Sequence, residues 1–353
     1  MSMDFTYIAR PGRVIFGRGA RERVGEELDK LGIRSAIVLT TPDQSDIAGE
    51  FAKLLGGRAG IIYPGASQHT PMEVTEAALQ AVQSVGADGC LAIGGGSTTG
   101  LSKAIALRTD LPQVVIPTTF AGSEMTAILG QTEHGKKTTI TDLKVLPETV
   151  IYDPDLLDTL PAHIAGPSAL NAIAHSVEAL YAEEANPVIS LMAEESIRAL
   201  GAAIPVFTSG KGDISAAYEQ GLYGAWLAGI CLGSVGMAIH HKICHTLGGS
   251  FGLNHADIHC LMLPYSAAYN REAAPDAMAA VARALGVEDG PSGLFDLMQM
   301  AGRHQSLSGF GMSEADLDKA ADLATQNAYY NPRPVTEADV RAMLQKAWDG
   351  SRP

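Results

Sequence analysis

Five short apolar runs punctuate the first 150 residues: SAIVLTT (35–41), AGIIYPG (59–65), GCLAIGGG (89–96), QVVIPTT (113–119) and ETVIYDP (148–154). Each ends in Gly, Pro or Thr and lacks polar alternation, the pattern of strands buried on both faces of a parallel sheet. Between them lie helical stretches such as VTEAALQAVQSVGA (74–87), in which Val74, Ala77, Ala78, Ala81 and Val85 fall near one face. Strand and helix in regular alternation predict an α/β domain. After DPDLLDTLP (153–161) the texture changes to long segments rich in Ala, Leu, Met and Glu with almost no alternating runs. An all-helical second domain is expected there, so the chain divides into 1–158 and 159–353. Proline and glycine mark its joints, as at Gly166-Pro167 and at 290–293.

A length of 353 residues suits about two domains, and 46% apolar residues suffice for two cores. No apolar run reaches the roughly 18 residues of a membrane span. The start, MSMDFTYIARPGRVIFG, lacks the basic and apolar segments of a signal peptide. A cytoplasmic protein with no membrane partner is therefore expected. Cys90, Cys231, Cys244 and Cys260 show no metal-ribbon spacing and read as reduced, buried thiols. The formal charge of −14 argues against nucleic acid as a partner. It also means that an acidic substrate needs locally arranged donors.

Gly94-Gly95-Gly96-Ser97 lies between an apolar run and the helix-like TTGLSKAIAL, which begins at Thr98. Glycines let the backbone approach a ligand, and free N–H groups at a helix start favour an anion. The spacing is not GxGxxG, so a standard dinucleotide fingerprint is absent. IPTTFAGSEMT (116–126) brings Thr118, Thr119, Ser123 and Thr126 directly after the next strand, where open α/β sheets bind ligands. Lys137 either reaches a ribose or phosphate or stays at the surface.

Downstream, GMAIHHKICHTLGGSFGLNH (236–255) places His241 and His245 one helical turn apart and adds His255 after a glycine-rich bend. Upstream, NAIAHSVEALY puts Asn171 and His175 at i and i+4, hence on one helix face. A core does not require this many imidazoles, so His175, His241, His245 and His255 are read as one polar site. His240 and His259 read as surface or supporting residues, as do His69, His134, His163 and His304. Asp257 is either a carboxylate that orients a histidine or a solvated turn residue.

Taken together, FGRGA (16–20), the GGGS turn, PTTFAGSE, Lys137 ten residues before Pro147, NAIAH and HHKICHTLGGSFGLNH resemble the iron-containing, or group III, alcohol dehydrogenase family, which shares its architecture with dehydroquinate synthase. The likeness spans nearly the whole chain. It implies an N-terminal dinucleotide-binding domain, a helical C-terminal domain, an active-site cleft between them, and a homodimer. The family's metal quartet is one Asp and three His, and the matching positions are Asn171, His175, His241 and His255. The carboxylate is missing, which implies no bound metal. Gly100 stands where many relatives have Asp. Thr40 and Thr41 end the first of the runs above, and Thr41 replaces an acidic residue that would hold a ribose 2′-hydroxyl and repel a 2′-phosphate. NADH and NADPH are both expected as cofactors.

GGGSTTGLSKAIAL, the HTP at 69–71, AHSVEALYA and YYNPRP (329–334) are similar to a branch of that family which reduces the carbon–carbon double bond of a small unsaturated keto-dicarboxylate. That reaction serves the breakdown of resorcinol, hydroxyquinol and chlorinated aromatics. In this reading His245, outside the quartet, is the general acid, and His175, His241, His255 and Asn171 hold the anionic substrate. Two alternatives stand beside it. One is a metal-dependent dehydrogenase of a small alcohol or aldehyde, with Asn171 lending its amide oxygen. The other is a non-catalytic dicarboxylate-binding protein.

Overall fold

The computed structural model describes residues 5–10, 12–133, 136–327 and 329–353, without the side chains of residues 136 and 137. Two compact units divide at Leu160/Pro161. The first, Ala9–Leu160, contains β1 (Arg13–Phe16), α1 (Val24–Lys30), β2 (Ala36–Leu39), α2 (Ser45–Leu55), β3 (Ala59–Tyr63), α3 (Met72–Val85), β4 (Gly89–Gly94), α4 (Gly96–Thr109), β5 (Gln113–Pro117), β6 (Ile128–Glu133), β7 (Lys136–Thr141) and β8 (Thr149–Tyr152). The second is helical: α5 (Ala162–Ala179), α6 (Pro187–Ser209), α7 (Ile214–Ser234), α8 (Ile239–Phe251), α9 (His255–Asn270), α10 (Pro275–Leu285), α11 (Gly290–Ala301), α12 (Asp316–Thr325) and α13 (Glu337–Asp349). Residues 5–8, assigned from sequence to the first domain, group with this helical unit instead.

All five expected strands form, and they lie in one parallel sheet of order β1-β8-β5-β4-β2-β3. Alternate side chains enter opposite layers, as strand geometry demands. Val38, Leu91, Ile93, Val114 and Ile116 pack with Val24, Leu28 and Phe51 on one face. Ile37, Leu39, Cys90, Ala92 and Val115 pack with Ala78, Val82, Leu101 and Ile105 on the other. Full burial of each large aliphatic side chain contributes about 1.5–3 kcal/mol, so these runs cannot be displaced to a surface. On α3 the buried face centres on Thr75, Ala78 and Val82, whereas Ala77 is exposed, a shift of the expected stripe.

Three strands escape the sequence pattern. β1 is a four-residue edge strand beside β8, too short to show periodicity. β6 and β7 form a separate antiparallel pair; β6 is half buried, residues 138–141 of β7 are exposed, and the pair is rich in Thr and Lys, so no apolar run marks them.

In the helical unit α5 is buried along almost its whole length, from Ala165 to Ala179, and packs against α6, α7 and α9. α9 is likewise buried from Asp257 to Ala267. All four cysteines are buried and free. Among the described residues no single helix is long and apolar enough to cross a membrane.

Candidate active site

The chain leaves β2 for β3 on one side and returns to β4 on the other, so the strand order reverses between β2 and β4. Open α/β sheets bind ligands beyond the carboxyl ends of strands at such a reversal. Thr40 and Thr41 follow β2 there, Gly94 to Thr98 join β4 to α4, and Thr118 and Thr119 follow β5. Gly94 has φ 152°, and a Cβ on it would lie 2.4 Å from Thr98 Oγ1. A Cβ on Gly95 would lie 2.9 Å from Thr119 Oγ1. No side chain caps α4, so the N–H groups of its first turn face outward with the positive end of the helix dipole. The buried hydroxyls of Thr40 and Thr98 have no hydrogen-bond partner among the described residues. Glycine backbone, open amides and orphaned hydroxyls fit a dinucleotide's phosphates.

Gln44 was not foreseen. Its Nε2 donates to Thr118 Oγ1 at 3.0 Å, and its Oε1 accepts from Thr41 Oγ1 at 3.5 Å, tying the end of β2 to that of β5. At Gly100 a Cβ would lie 2.5 Å from the hydroxyl of buried Thr70, so a larger side chain such as Asp would have to displace Thr70.

Ser123 and Thr126 are held from behind by Lys103, another residue missed in the sequence. Its Nζ shares its N–H groups among the carbonyls of Ser123 (2.6 Å), Thr126 (2.7 Å) and Ile128 (2.8 Å) and Thr126 Oγ1 (2.9 Å). The Thr126 hydroxyl is thereby committed to the loop's own anchor. Beside it, Tyr152 OH donates to buried Glu124 at 2.8 Å. Lys137 sits in β7 with its backbone opposite Thr132; its side chain, and all of His134, lie outside the described residues.

Burial pulls the Lys103 ammonium down to about 7, against 10.5 for an unhindered lysine. Between those values the unfolded chain binds more protons than the folded one, so the stability linked to Lys103 rises with pH. Below about 7 the cost of burying the charge is fully present. The gap in melting temperature between wild type and Lys103→Met is expected to be wider at about pH 9 than at about pH 6.

In the helical unit, α5 presents Asn171, His175 and Glu178 along one face. His241, from α8, has Nδ1 2.6 Å from Glu178 Oε2 and Nε2 2.9 Å from His175 Nδ1. A carboxylate only accepts, so the network assigns the His241 proton to Nδ1, and Nε2 receives the N–H of His175. Glu178 also accepts from the backbone N–H of Ala238 (3.0 Å) and His240 (2.7 Å). It thus caps α8, whose own N-cap, Ala238, has no polar side chain.

The cluster is larger than expected. His240 and His259, read from sequence as surface or supporting residues, are fully buried within it. The reason is α9, enclosed on nearly all sides, which carries His259 against α8. His259 has ring centroids 4.3 Å from His255, 4.8 Å from His241 and 4.9 Å from His240. His245 completes the set at 5.8 Å from His241 and 6.1 Å from His255. Exposure rises from buried His175 and His241 through half-buried His255 to exposed His245. Desolvation drives His240 and His259 well below the usual imidazole value, so both are neutral. Asp257 is not a solvated turn residue: it is buried, with Arg303 at 3.6 Å. Glu178 fills the orienting role, and its place three residues after His175 was the signal for it.

A doubly wound sheet with an anion-binding turn at its reversal, and a helical unit built around imidazoles, define a nucleotide-dependent oxidoreductase. Residues 11–154 match the model for iron-containing alcohol dehydrogenase, and residues 166–348 match that for the C-terminal part of the Fe-containing alcohol dehydrogenase family. The chain belongs to this family. It is similar to the maleylacetate reductases of Rhizobium sp. (strain MTP-10005) and Burkholderia cepacia, each 50% identical over 349 residues and 99% of both chains. The crystal structure of maleylacetate reductase from Agrobacterium tumefaciens matches with a TM-score of 0.96 and 49% identity over 100% of each chain. This protein is an oxidoreductase that works with a nicotinamide cofactor.

The metal implied by the family's name is not suited to the groups present. Asn171 brings a neutral amide where a carboxylate would offset the charge of a divalent ion. His175 Nδ1 and His241 Nε2 lie 2.9 Å apart in a hydrogen bond, so a proton occupies the space between two ligand nitrogens. The remaining close group, His240, Cys244 and His259, has ligating atoms within 4.8 Å of one another. There burial drives the thiol well above its usual value, and so away from the thiolate that a metal needs.

Proposed function

We propose that this protein reduces the carbon–carbon double bond of 2-maleylacetate to give 3-oxoadipate, using NADH or NADPH and no catalytic metal. The observation that carries this reading is Asn171, a buried neutral amide inside a network of imidazoles tied together by their own protons. The substrate is an alkene conjugated to a ketone, with a carboxylate at each end. When bound, the reduced nicotinamide supplies a hydride to the alkene carbon β to the ketone. Negative charge then develops on the enolate oxygen, and hydrogen-bond donors aimed at such an oxygen contribute about 3–4 kcal/mol each. A conjugated alkene needs less activation than an isolated ketone, so donors suffice where an alcohol dehydrogenase uses an ion.

Glu178 fixes His241, and His241 receives the N–H of His175 and orients that ring. His255 faces the oxyanion and carboxylates as a donor, with Asn171 as a neutral hydrogen-bond partner, and His175 joins them in its doubly protonated form, its Nδ1–H staying on His241. His245, at the exposed end, gives the proton to the carbon α to the ketone and is reprotonated from solvent. One hydride, from a bound reduced nicotinamide, and one proton, from His245, would add across the double bond, which balances the two-electron reduction. Gly94, Gly95, Gly96 and Ser97 hold the nucleotide phosphates, with Thr40, Thr98, Thr118 and Thr119 around them.

NADH oxidation measured with 2-maleylacetate before and after dialysis against EDTA tests the proposal. Unchanged turnover is expected. Stoichiometric zinc or iron whose removal abolishes activity would establish a metal-dependent dehydrogenase, in which the orphaned Asn171 Oδ1 ligates the ion. Nucleotide binding without NADH consumption would leave a dicarboxylate-binding protein.

Thr41 has no charge to repel a 2′-phosphate, so specificity constants for NADH and NADPH should agree within about a hundredfold, or about 3 kcal/mol. Thr41→Asp should shift the preference toward NADH. A wild-type preference for NADH above about ten-thousandfold would mean that another residue excludes the phosphate.

A further inference from the structure

The proton route above uses neither His240 nor His259, although both lie fully buried inside the cluster. Their hydrogen bonds run in one direction. The single Ser266 Oγ proton has the carbonyls of Met262 (3.1 Å) and Leu263 (3.0 Å) in reach, and with that proton assigned to them Oγ is the acceptor toward His240 Nδ1, 2.9 Å away. The His240 proton therefore sits on Nδ1. In a neutral ring the other nitrogen carries a lone pair. His240 Nε2 accordingly accepts from His259 Nδ1 at 2.9 Å. The Cys244 sulfur lies near both His240 Nε2 (3.7 Å) and the Ile258 carbonyl (3.8 Å), and its protonated thiol leaves this direction intact.

The chain ends on His259 Nε2, a lone pair buried with no hydrogen-bond partner among the described residues. A ring retained only for packing would not need to end on an unsatisfied acceptor, which costs free energy in a protein interior. Around it, both nitrogens of His241 are already engaged, by Glu178 and by His175. The nearest ring is His255, one turn earlier on α9 at 4.3 Å, and His255 in turn stacks on His245 at 6.1 Å.

We infer that His259 is a positioning residue: the Ser266–His240–His259 chain holds Nε2 as an unfilled acceptor against the His255 ring, and an N–H of His255 turns onto it in the working enzyme, which orients His255 and through it His245. This inference rests on the proposed reductase reading.

Two substitutions separate the nitrogens of His259. In His259→Asn the amide N–H replaces Nδ1 and keeps the bond to His240 while the inward acceptor is lost. In His259→Gln the amide oxygen reaches the position of Nε2 while the link to His240 is lost. Expected results with 2-maleylacetate are a fall in kcat of about tenfold or more for His259→Asn, with a raised solvent isotope effect and KM within about threefold. His259→Gln should recover much of that loss. Ser266→Ala, at the far end, should lower kcat in wild type and add nothing in the His259→Asn background, because members of one chain are not additive. Normal kcat in His259→Asn, or fully additive losses with Ser266→Ala, would overturn the inference. If His259→Asn does not fold, Ser266→Ala alone decides: unchanged kcat and isotope effect overturn it. Wild type inactive on 2-maleylacetate would instead overturn the reductase reading, before any variant is compared.

Discussion

His245→Ala is expected to lower kcat by about a hundredfold or more, the usual scale for losing a positioned general acid and equivalent to about 2.7 kcal/mol in the barrier. NADH affinity should change little, because the groups assigned to the phosphates lie at the ends of β2, β4 and β5. His245 is singled out by its place in the cluster. It is the exposed ring, next to His241 and His255, while the rings of His241, His240 and His259 are committed to internal hydrogen bonds. Steady-state kinetics alongside nucleotide binding make the measurement. Near-normal turnover in His245→Ala with loss in His255→Ala would move the acid to His255. Normal turnover in both would remove the imidazole cluster from the chemistry.

Glu178→Gln should impair both turnover and folding. Its two carboxylate oxygens accept from Ala238 N–H, His240 N–H and His241 Nδ1–H. A glutamine amide turns one of those acceptors into a donor, so at least one buried N–H loses its partner at a cost of about 1–3 kcal/mol. The start of α8 also loses a negative charge that complements its dipole, up to about 2 kcal/mol in a partly buried geometry. His241 then becomes free to take the other tautomer, which breaks its bond from His175. A fall in kcat of about a hundredfold is expected, with a clear drop in melting temperature. Wild-type kinetics in a folded Glu178→Gln would show that the tautomer of His241 is immaterial.

The parallel sheet was legible because its strands are buried on both faces, and burial of that kind leaves continuous apolar runs that survive as a one-dimensional pattern. The turn at Gly94 to Ser97 was legible because glycine has a backbone meaning of its own: at Gly94 a Cβ would collide with Thr98. Asn171 with His175, and His241 with His245, could be paired because four residues bring side chains to one helix face. The edge strand β1 and the β6–β7 pair could not be found, since their stability comes from neighbours rather than from an internal apolar period.

Which residues can share a face was thus set out by the sequence, through spacing that a helix or strand translates directly. How the proposed site residues bond to one another was decided by the tertiary structure. Hydrogen bonds between α5 and α8 join residues more than 60 positions apart, as between His175 and His241, and those bonds select the tautomers. Burial is likewise a property of the packed molecule. Lys103 and His259 look like ordinary polar residues in the chain, and only enclosure by other elements makes one the anchor of a loop and the other a buried acceptor. Periodicity reports how a segment faces its surroundings, whereas the identity of those surroundings arises from contacts between segments distant in sequence.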